Sequence, residues 1–187
     1  HRLIRRQRQM CIRDSVYGEE RTGKIKVYKL ADETDWGSFT LEGKGTEEEP
    51  YLIQSAEDLQ AFSNYVNRGM SFADQYVEQT ADIDMDGKKF TPIGAFSGES
   101  YFYGTYNGKG HIIRNLSIQG KATEDVGLFG RLEGAVYNLG LEAGSLTGDC
   151  VGAIASYAVN PEAEIMNCFT DCLLYTSPSP RDGATSR

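Results

Sequence analysis

The chain contains few of the side chains that build metal sites and disulfide frameworks. Its 187 residues include two histidines, four cysteines, one tryptophan and five prolines. There is no CxxC pair and no histidine cluster, so the patterns typical of zinc sites and redox-active cysteines are absent. No apolar run approaches the ~18 residues of a membrane-spanning helix. The sequence therefore predicts no membrane insertion and no cofactor, with calcium as the one alternative considered below.

The two ends of the chain differ in composition from everything between them. Residues 1–15 (HRLIRRQRQMCIRDS) hold five arginines, and residues 172–187 are rich in serine, threonine and proline. Both ends resemble translated sequencing-adapter read-through, so we expect two disordered tails of non-native sequence. A basic arm that binds nucleic acid is the alternative for residues 1–15, and the presence of both strings together argues against it.

The part between the ends is strongly acidic. Removing the seven basic and two acidic residues of the ends from totals of 19 and 27 leaves 12 and 25, a net charge of −13. This charge argues against nucleic acid or an anionic membrane as a partner. Two cysteines, Cys150 and Cys168, lie clear of both ends. A disulfide between them is disfavoured, because Cys168 is expected to point inward and Cys150 outward.

One segment has helical periodicity. Leu59, Phe62, Tyr65 and Val66 form one apolar stripe. Ser55 is placed as the N-cap with Asp58 as its capping-box partner, and Asn67 and Gly69 supply a stop. The pattern predicts a single helix, Ala56–Asn67, that covers the first coil of a larger β-structure; a helix that docks on a partner is the alternative. Residues 16–44 are predicted to be entry strands or linker, with candidate strands at Lys24–Leu30 and Ser38–Leu41.

The rest of the chain repeats. The stretch Tyr101–Ile118 (YFYGTYNGKGHIIRNLSI) ends in an apolar-Asn-apolar pattern that recurs at Asn138 and Asn167. A second motif, VGLFG at 126–130, recurs as VGAIA at 151–155. Units of 20–30 residues made of short strands are typical of a solenoid. A local Asn-Gly hairpin at 107–108 is the alternative for the first unit.

The asparagines are predicted to bend the chain at the corners of successive coils. Asparagine tolerates the left-handed conformation that such a bend needs. Stacking would align Asn115, Asn138 and Asn167 into a ladder of amide hydrogen bonds. The predicted stacked core beside this ladder consists of Ile113, Leu116, Val136, Leu139, Ile165 and Cys168.

The run Phe102–Leu116 (FYGTYNGKGHIIRNL) resembles the signature of bacterial surface proteins with GLUG-type repeats. The VG segments at 126 and 151 and the entry Gly45–Leu59 are similar to the same family, and the resemblance covers about residues 45–170. It implies a right-handed parallel β-helix, similar to pectin-lyase-like proteins, in large secreted or wall-attached bacterial polypeptides. We expect a β-helix repeat domain at 45–171, truncated at its C-terminal end, where an unpaired edge would accept further coils of the full-length chain.

Two groups are candidate ligand sites. Asp82, Asp84 and Asp86 match the first half of a calcium loop, but the twelfth position is Ile93 rather than the glutamate of an EF-hand. Their alternation with apolar residues favours a strand end with its acids in solvent. Tyr101 and Tyr103 are expected to lie outside, as a candidate sugar-stacking surface.

No catalytic constellation is predicted. Three acids on one short strand are not the opposed carboxylate pair of a glycosidase, and His111 is expected to be a turn residue. We therefore expect a non-catalytic, extracellular or cell-surface bacterial β-helix module that acts as an adhesin or stalk and binds a glycan or a host or matrix protein. The alternative is the β-helical part of a polysaccharide lyase, glycoside hydrolase or other large secreted hydrolase.

Overall fold

A computed structural model describes residues 39–95, 100–120, 124–158 and 160–176. Both predicted tails, apart from residues 172–176, and the predicted strand at Lys24–Leu30 lie outside these ranges. The described residues form one helix and thirteen strands. These are β1 Tyr51–Ile53, α1 Ala56–Asn67, β2 Tyr76–Gln79, β3 Ile83–Asp84, β4 Thr105–Asn107, β5 Ile112–Gln119, β6 Asp125–Val126, β7 Phe129–Leu132, β8 Ala135–Tyr137, β9 Gly140–Gly148, β10 Cys150–Val151, β11 Ala155–Ala158, β12 Glu164–Met166 and β13 Phe169–Thr176.

The strands pair in parallel with their counterparts in neighbouring coils. One sheet has the order β1-β2-β4-β8-β12, a second has β3-β5-β9-β13, and the pairs β6–β10 and β7–β11 form further short sheets. In the first sheet Val77, Tyr106, Val136 and Ile165 follow one another at intervals of 29, 30 and 29 residues. One turn of the chain therefore takes about 29 residues, and the predicted parallel β-solenoid is confirmed. Its right-handed sense follows the rule for crossovers between parallel strands.

The Asn-Gly hairpin alternative for Tyr101–Ile118 is wrong. β4 and β5 lie in different sheets; β4 pairs with β2 and β8, and β5 pairs with β3 and β9. The predicted strand at Ser38–Leu41 is also corrected, because residues 39–41 form no strand. There the Thr40 N–H donates to the Tyr65 hydroxyl at 3.0 Å instead of to a neighbouring strand.

The helix covers the first coil as predicted, with the predicted bounds. Ser55 Oγ accepts from the Asp58 N–H at 3.2 Å, and the Asp58 carboxylate accepts from the Gln54 N–H at 3.1 Å. At the other end Gly69 has φ +103°, and the bonds from Gly69 to Val66 O and from Met70 to Tyr65 O complete a Schellman motif.

The core is a stack of aromatic and aliphatic side chains inside the coils. Phe62 of α1 packs edge-to-face on Phe72 and Phe102, and Phe102 in turn contacts Phe129. Tyr106 is fully buried, which raises the pKa of its phenol, and its hydroxyl is 3.1 Å from Gln79 Oε1. Among the described residues, no buried side-chain nitrogen or oxygen lacks a partner. The helix thus closes the end of a continuous core.

The register of the stack differs from the predicted one at one asparagine. Tyr106 pairs with Val136, whereas Ile113 pairs with Leu141 and Leu116 with Ala143. The predicted alignment of Asn115 with Asn138, and with it that of Ile113 and Leu116 with Val136 and Leu139, is therefore wrong. The interval from Asn115 to Asn138 is 23 residues, which is shorter than one coil, because the two asparagines lie at different bends.

The later half of the predicted alignment agrees with the structure. Ile165 pairs with Val136, and the Phe169 N–H donates to Leu139 O, which places Cys168 beside Leu139. Cys168 is partly buried against the core, and burial raises the pKa of its thiol. Cys150 is exposed, and both cysteines are free.

The last described coil leaves apolar side chains in solvent. Ile165, Met166 and Phe169 are 45%, 54% and 51% exposed. The counterpart of Ile165 one coil earlier, Val136, is fully buried because β12 packs over it. Within the described residues β12 and β13 each pair on one side alone. The predicted continuation into further coils stays a prediction.

Candidate ligand-binding surfaces

A ladder of opposite charges runs across the outside of the second sheet; it consists of Asp82, His111, Arg114 and Glu142. Ile113 points into the core, so its neighbour Arg114 on β5 points outward. Arg114 Nη1 lies 3.0 Å from Asp82 Oδ2, and its Nε lies 3.0 Å from Glu142 Oε2. His111 Nδ1 lies 3.2 Å from Asp82 Oδ1. This charge ladder links three successive coils.

The charges of the ladder stabilise one another in their ionised forms. The Ile112 N–H, then Arg114 and His111, lower the pKa of Asp82 below its ordinary 3.8. The bond to Asp82, followed by that to Glu142, raises the pKa of Arg114. A general acid of a glycosidase needs the opposite shift, a raised carboxyl pKa. The ladder therefore has the electrostatics of a structural clamp.

Two of the three predicted calcium ligands have separate partners. Asp82 belongs to the charge ladder, whereas Asp84 Oδ1 accepts from Asn115 Nδ2 at 2.9 Å and from the Asp86 N–H at 2.8 Å. These two bonds lower the pKa of Asp84. Within the described ranges no group of three or more His, Cys, Asp or Glu side chains is placed to hold a metal ion. Calcium at this strand stays a hypothesis for experiment.

The corner asparagines form a short amide column. Asn138 Nδ2 donates to Asn107 Oδ1 at 3.0 Å, and Asn167 Nδ2 donates to Asn138 Oδ1 at 2.6 Å. Asn138 and Asn167 have φ of +52° and +54°. In the earlier coil the corner is two residues longer, and Lys109 takes the left-handed position with φ +53°. Asn107 thus occupies the place in the column that Asn115 was predicted to fill.

Asn115 lies outside this amide column, although its backbone conformation is similar to that of Asn138 and Asn167. Its φ is +56°, and the pairing of β5 with β9 is irregular between Arg114 and Leu116. The expected bend between Asn115 and Leu116 is therefore present, as a bulge within one sheet. Asp86, with φ +51°, lies beside it in the preceding coil.

The second outer surface, which we call the tyrosine face, consists of Tyr101, Tyr103, Arg131, Tyr157 and Asp125. Arg131 on β7 is the register neighbour of Tyr157 on β11, and the Phe102–Leu132 bridge places Tyr101 on its other side. The guanidinium carbon lies 5.3 Å from the Tyr101 ring centroid and 5.8 Å from that of Tyr157. The Tyr101 and Tyr103 centroids are 6.0 Å apart.

Arg131 holds this face together from beneath. Its Nη1 donates to the Tyr101 hydroxyl at 2.9 Å, and its Nε donates to Asp125 Oδ2 at 3.0 Å. Burial disfavours the charged guanidinium, but the bonds to Asp125 and Tyr101 outweigh that effect and raise its pKa. The rings of Tyr103 and Tyr157, by contrast, are 46% and 50% exposed. The tyrosine face therefore exposes aromatic rings to solvent, next to an ion pair in which Asp125 balances the charge of Arg131.

A shallow cleft of about 350 Å³ adjoins Tyr103. Its lining includes Asp74, Glu133, Glu162 and Glu164. The Tyr137 hydroxyl donates to Glu164 Oε2 at 2.5 Å, which raises the pKa of that phenol. Acidic side chains thus border the tyrosine face on this side.

The sequence predicted Tyr101 and Tyr103 as outward tyrosines but missed Arg131, Asp125 and Tyr157. The repeated VG motif contained the missing signal. Val126 pairs with Val151 at an interval of 25 residues, which points to the neighbourhood of Tyr157; the following pairing of β7 with β11 has an interval of 26 and brings Arg131 beside Tyr157.

The stacked parallel coils with their helical cap define a β-solenoid protein. No family model matches the chain. Halomucin from Haloquadratum walsbyi is 36% identical over 146 residues, and a "Putative Gly-rich membrane protein" from Evansella cellulosilytica is 35% identical over 128 residues. These alignments cover 71% and 67% of this chain but span 2% and 14% of the relatives' lengths.

Solved structures support the same fold. A crystal structure of a "putative immunoglobulin A1 protease" from Bacteroides ovatus matches with a TM-score of 0.55 and 25% identity, over 71% of this chain and 40% of that one. Across the described residues, α1 included, no helix is long and apolar enough to cross a membrane.

Proposed function

We propose that the chain is a non-catalytic β-solenoid repeat module of a large extracellular or cell-surface bacterial protein, acting as a stalk or adhesin. The observation that carries this proposal is the last described coil, with parallel strands pairing on one side and apolar side chains in solvent. A module of this kind lengthens by adding coils. The small share of each relative that the chain spans supports the same view.

The outer ionisable groups support a non-catalytic role. In the charge ladder Asp82 and Glu142 both bind Arg114, and the lowered pKa of Asp82 does not suit a proton donor. The GLUG-type resemblance of Phe102–Leu116 supports a surface location. The partner class that fits an adhesin is a glycan or a host or matrix protein.

The experiment is an assay of binding and turnover on the same samples. The intact chain is incubated with plant and host glycans and with matrix proteins, and both retention and new chain ends are measured. The proposal expects retention without cleavage. Cleavage of any substrate would overturn it.

A second candidate is the β-helical part of a secreted hydrolase, favoured by the likeness to the Bacteroides ovatus structure. A polysaccharide lyase, the other enzyme class considered from the sequence, would need calcium at Asp82, Asp84 and Asp86. Calorimetric titration with calcium, with Asp84→Ala as the matched variant, tests it. We expect no heat of binding and no change in melting temperature, because Arg114 and Asn115 already bind these carboxylates.

A further inference from the structure

We infer that the tyrosine face binds a neutral glycan; this inference names the ligand of the proposed adhesin and rests on that function. Tyr103 and Tyr157 expose about half of their surfaces, although Tyr157 lies on β11 and Tyr103 directly follows the bridge from Phe102 to Leu132. Exposed aromatic rings that are held in place are characteristic of sites that recognise ligands with an apolar face. The C–H faces of pyranose rings are such surfaces.

The face is held in place before any ligand arrives. Tyr157 lies on β11, which pairs with β7, and Tyr101 is bonded to the Arg131 guanidinium at its hydroxyl. The guanidinium lies between the two rings, so each tyrosine gains a cation–π contact. Binding therefore orders few additional side chains, which lowers its entropic cost.

The dimensions favour an oligosaccharide over a single sugar. Tyr101, Arg131 and Tyr157 occupy three successive coils, so the two tyrosines are separated by two strand spacings, about 9.6 Å. Tyr103 extends the aromatic surface sideways from Tyr101. A single pyranose ring cannot contact both Tyr101 and Tyr157, whereas two or more linked rings can.

The electrostatics favour a neutral ligand over an acidic one. The charge of Arg131 is compensated by Asp125, and both side chains are only 12% exposed. The adjoining cleft contributes Glu133, Glu162 and Glu164, and the chain between its ends has a net charge of −13. A uronate or sialic acid would therefore meet repulsion, since the described lining of this cleft includes no lysine, arginine or histidine to offset it.

The test is isothermal titration of the intact chain with two sets of probes. Cellohexaose, mannan and a soluble β-1,3-glucan are the neutral set; polygalacturonate and hyaluronan are the acidic set. We expect binding of at least one neutral probe, weakened about tenfold by Tyr157→Ala, the size of one aromatic contact. Tyr157→Phe keeps the ring and should bind as the parent does, and Tyr76→Ala, outside the tyrosine face, is the position control.

A second variant, at the Asp125 carboxylate, is expected to increase the affinity for an acidic probe. Asp125→Asn weakens the compensation of Arg131, so it should strengthen binding of polygalacturonate relative to the parent. Circular dichroism melting of each variant shows that it is folded.

Three outcomes would overturn the inference: no neutral probe binds, Tyr157→Ala binds as the parent does, or an acidic probe binds more tightly than every neutral one. Retention of a matrix protein in place of a glycan would overturn this inference and leave the adhesin proposal standing. Cleavage of a probe would overturn the proposed function itself.

Discussion

At the scale of single residues, asparagine and aspartate combine a backbone role with a side-chain role. Asn115, Asn138 and Asn167 all have positive φ, a conformation that costs most L-residues roughly 1–2 kcal/mol. Each amide also donates to a carboxylate or amide of the preceding coil. Each asparagine thus allows the chain to bend and also hydrogen-bonds that bend to the preceding coil.

Asn138 is the middle member of the amide column, and its replacement should separate these two roles. Asn138→Gly keeps the left-handed backbone but removes both amide bonds, so we expect a loss of about 1 kcal/mol in the free energy of unfolding. Asn138→Ala adds the backbone cost and should lose about 1 kcal/mol more. Urea denaturation measures both. Equal stability of the two variants would contradict the backbone role, and Asn64→Ala on the exposed face of α1 is the control.

The charge ladder makes stability depend on acid pH. The folded pKa values of Asp82 and Asp84 lie below the ordinary 3.8, so the folded state binds fewer protons than the unfolded state near that pH. Their stabilisation is complete above about pH 4 and is lost as the pH falls through the lowered values. Melting temperatures measured from pH 7 to pH 2 should show this decline.

The variant that tests this pH dependence is Asp82→Asn with Asp84→Asn. It should be less stable than the parent at pH 7 and should lose less stability on acidification. The exposed loop change Glu47→Gln is the control. An acid decline of unchanged size in the double variant would show that other carboxylates cause it.

At the scale of elements, α1 closes one end of the core. Its apolar stripe covers Phe72, Phe102 and Tyr106 through Phe62, and Ser63 Oγ donates to Thr91 O at 2.6 Å. Its bounds depend on local bonds at Ser55, Asp58 and Gly69. This is why the helix could be predicted from a short window.

Loss of the N-cap should destabilise this closure. Ser55→Ala removes the acceptor of the Asp58 N–H and should lower the free energy of unfolding by about 1 kcal/mol. Chemical denaturation followed by circular dichroism gives the value. Ser145→Ala, at a β9 side chain for which the structure gives no hydrogen bond, is the matched control and should be near neutral. A similar loss in both variants would argue against the cap.

At the scale of the whole molecule, the coils stabilise one another through stacking, and the last described coil is covered on one side alone. Appending a further coil that pairs with β12 and β13 should raise the melting temperature and the solubility, because it would cover the apolar side chain of Ile165. A Gly-Ser extension of the same length is the control. An unchanged melting temperature with the added coil would count against stabilisation by stacking.

The sequence alone determined the class of fold, the helix and the left-handed asparagines, because these depend on local patterns: strand alternation, capping residues and the backbone tolerance of one side-chain type. The tertiary structure alone decided the register. Asn115 and Asn138 share an apolar residue two positions before and a leucine directly after, and only the parallel pairing of β5 with β9 and β4 with β8 shows that they occupy different bends. Pairing between coils also brings Arg131 between Tyr101 and Tyr157, each of which is about one coil away from Arg131 along the chain. The physical reason is that contacts between coils depend on the exact number of residues in each coil, and the two-residue difference between the corner after Asn107 and that at Asn138 changes this number.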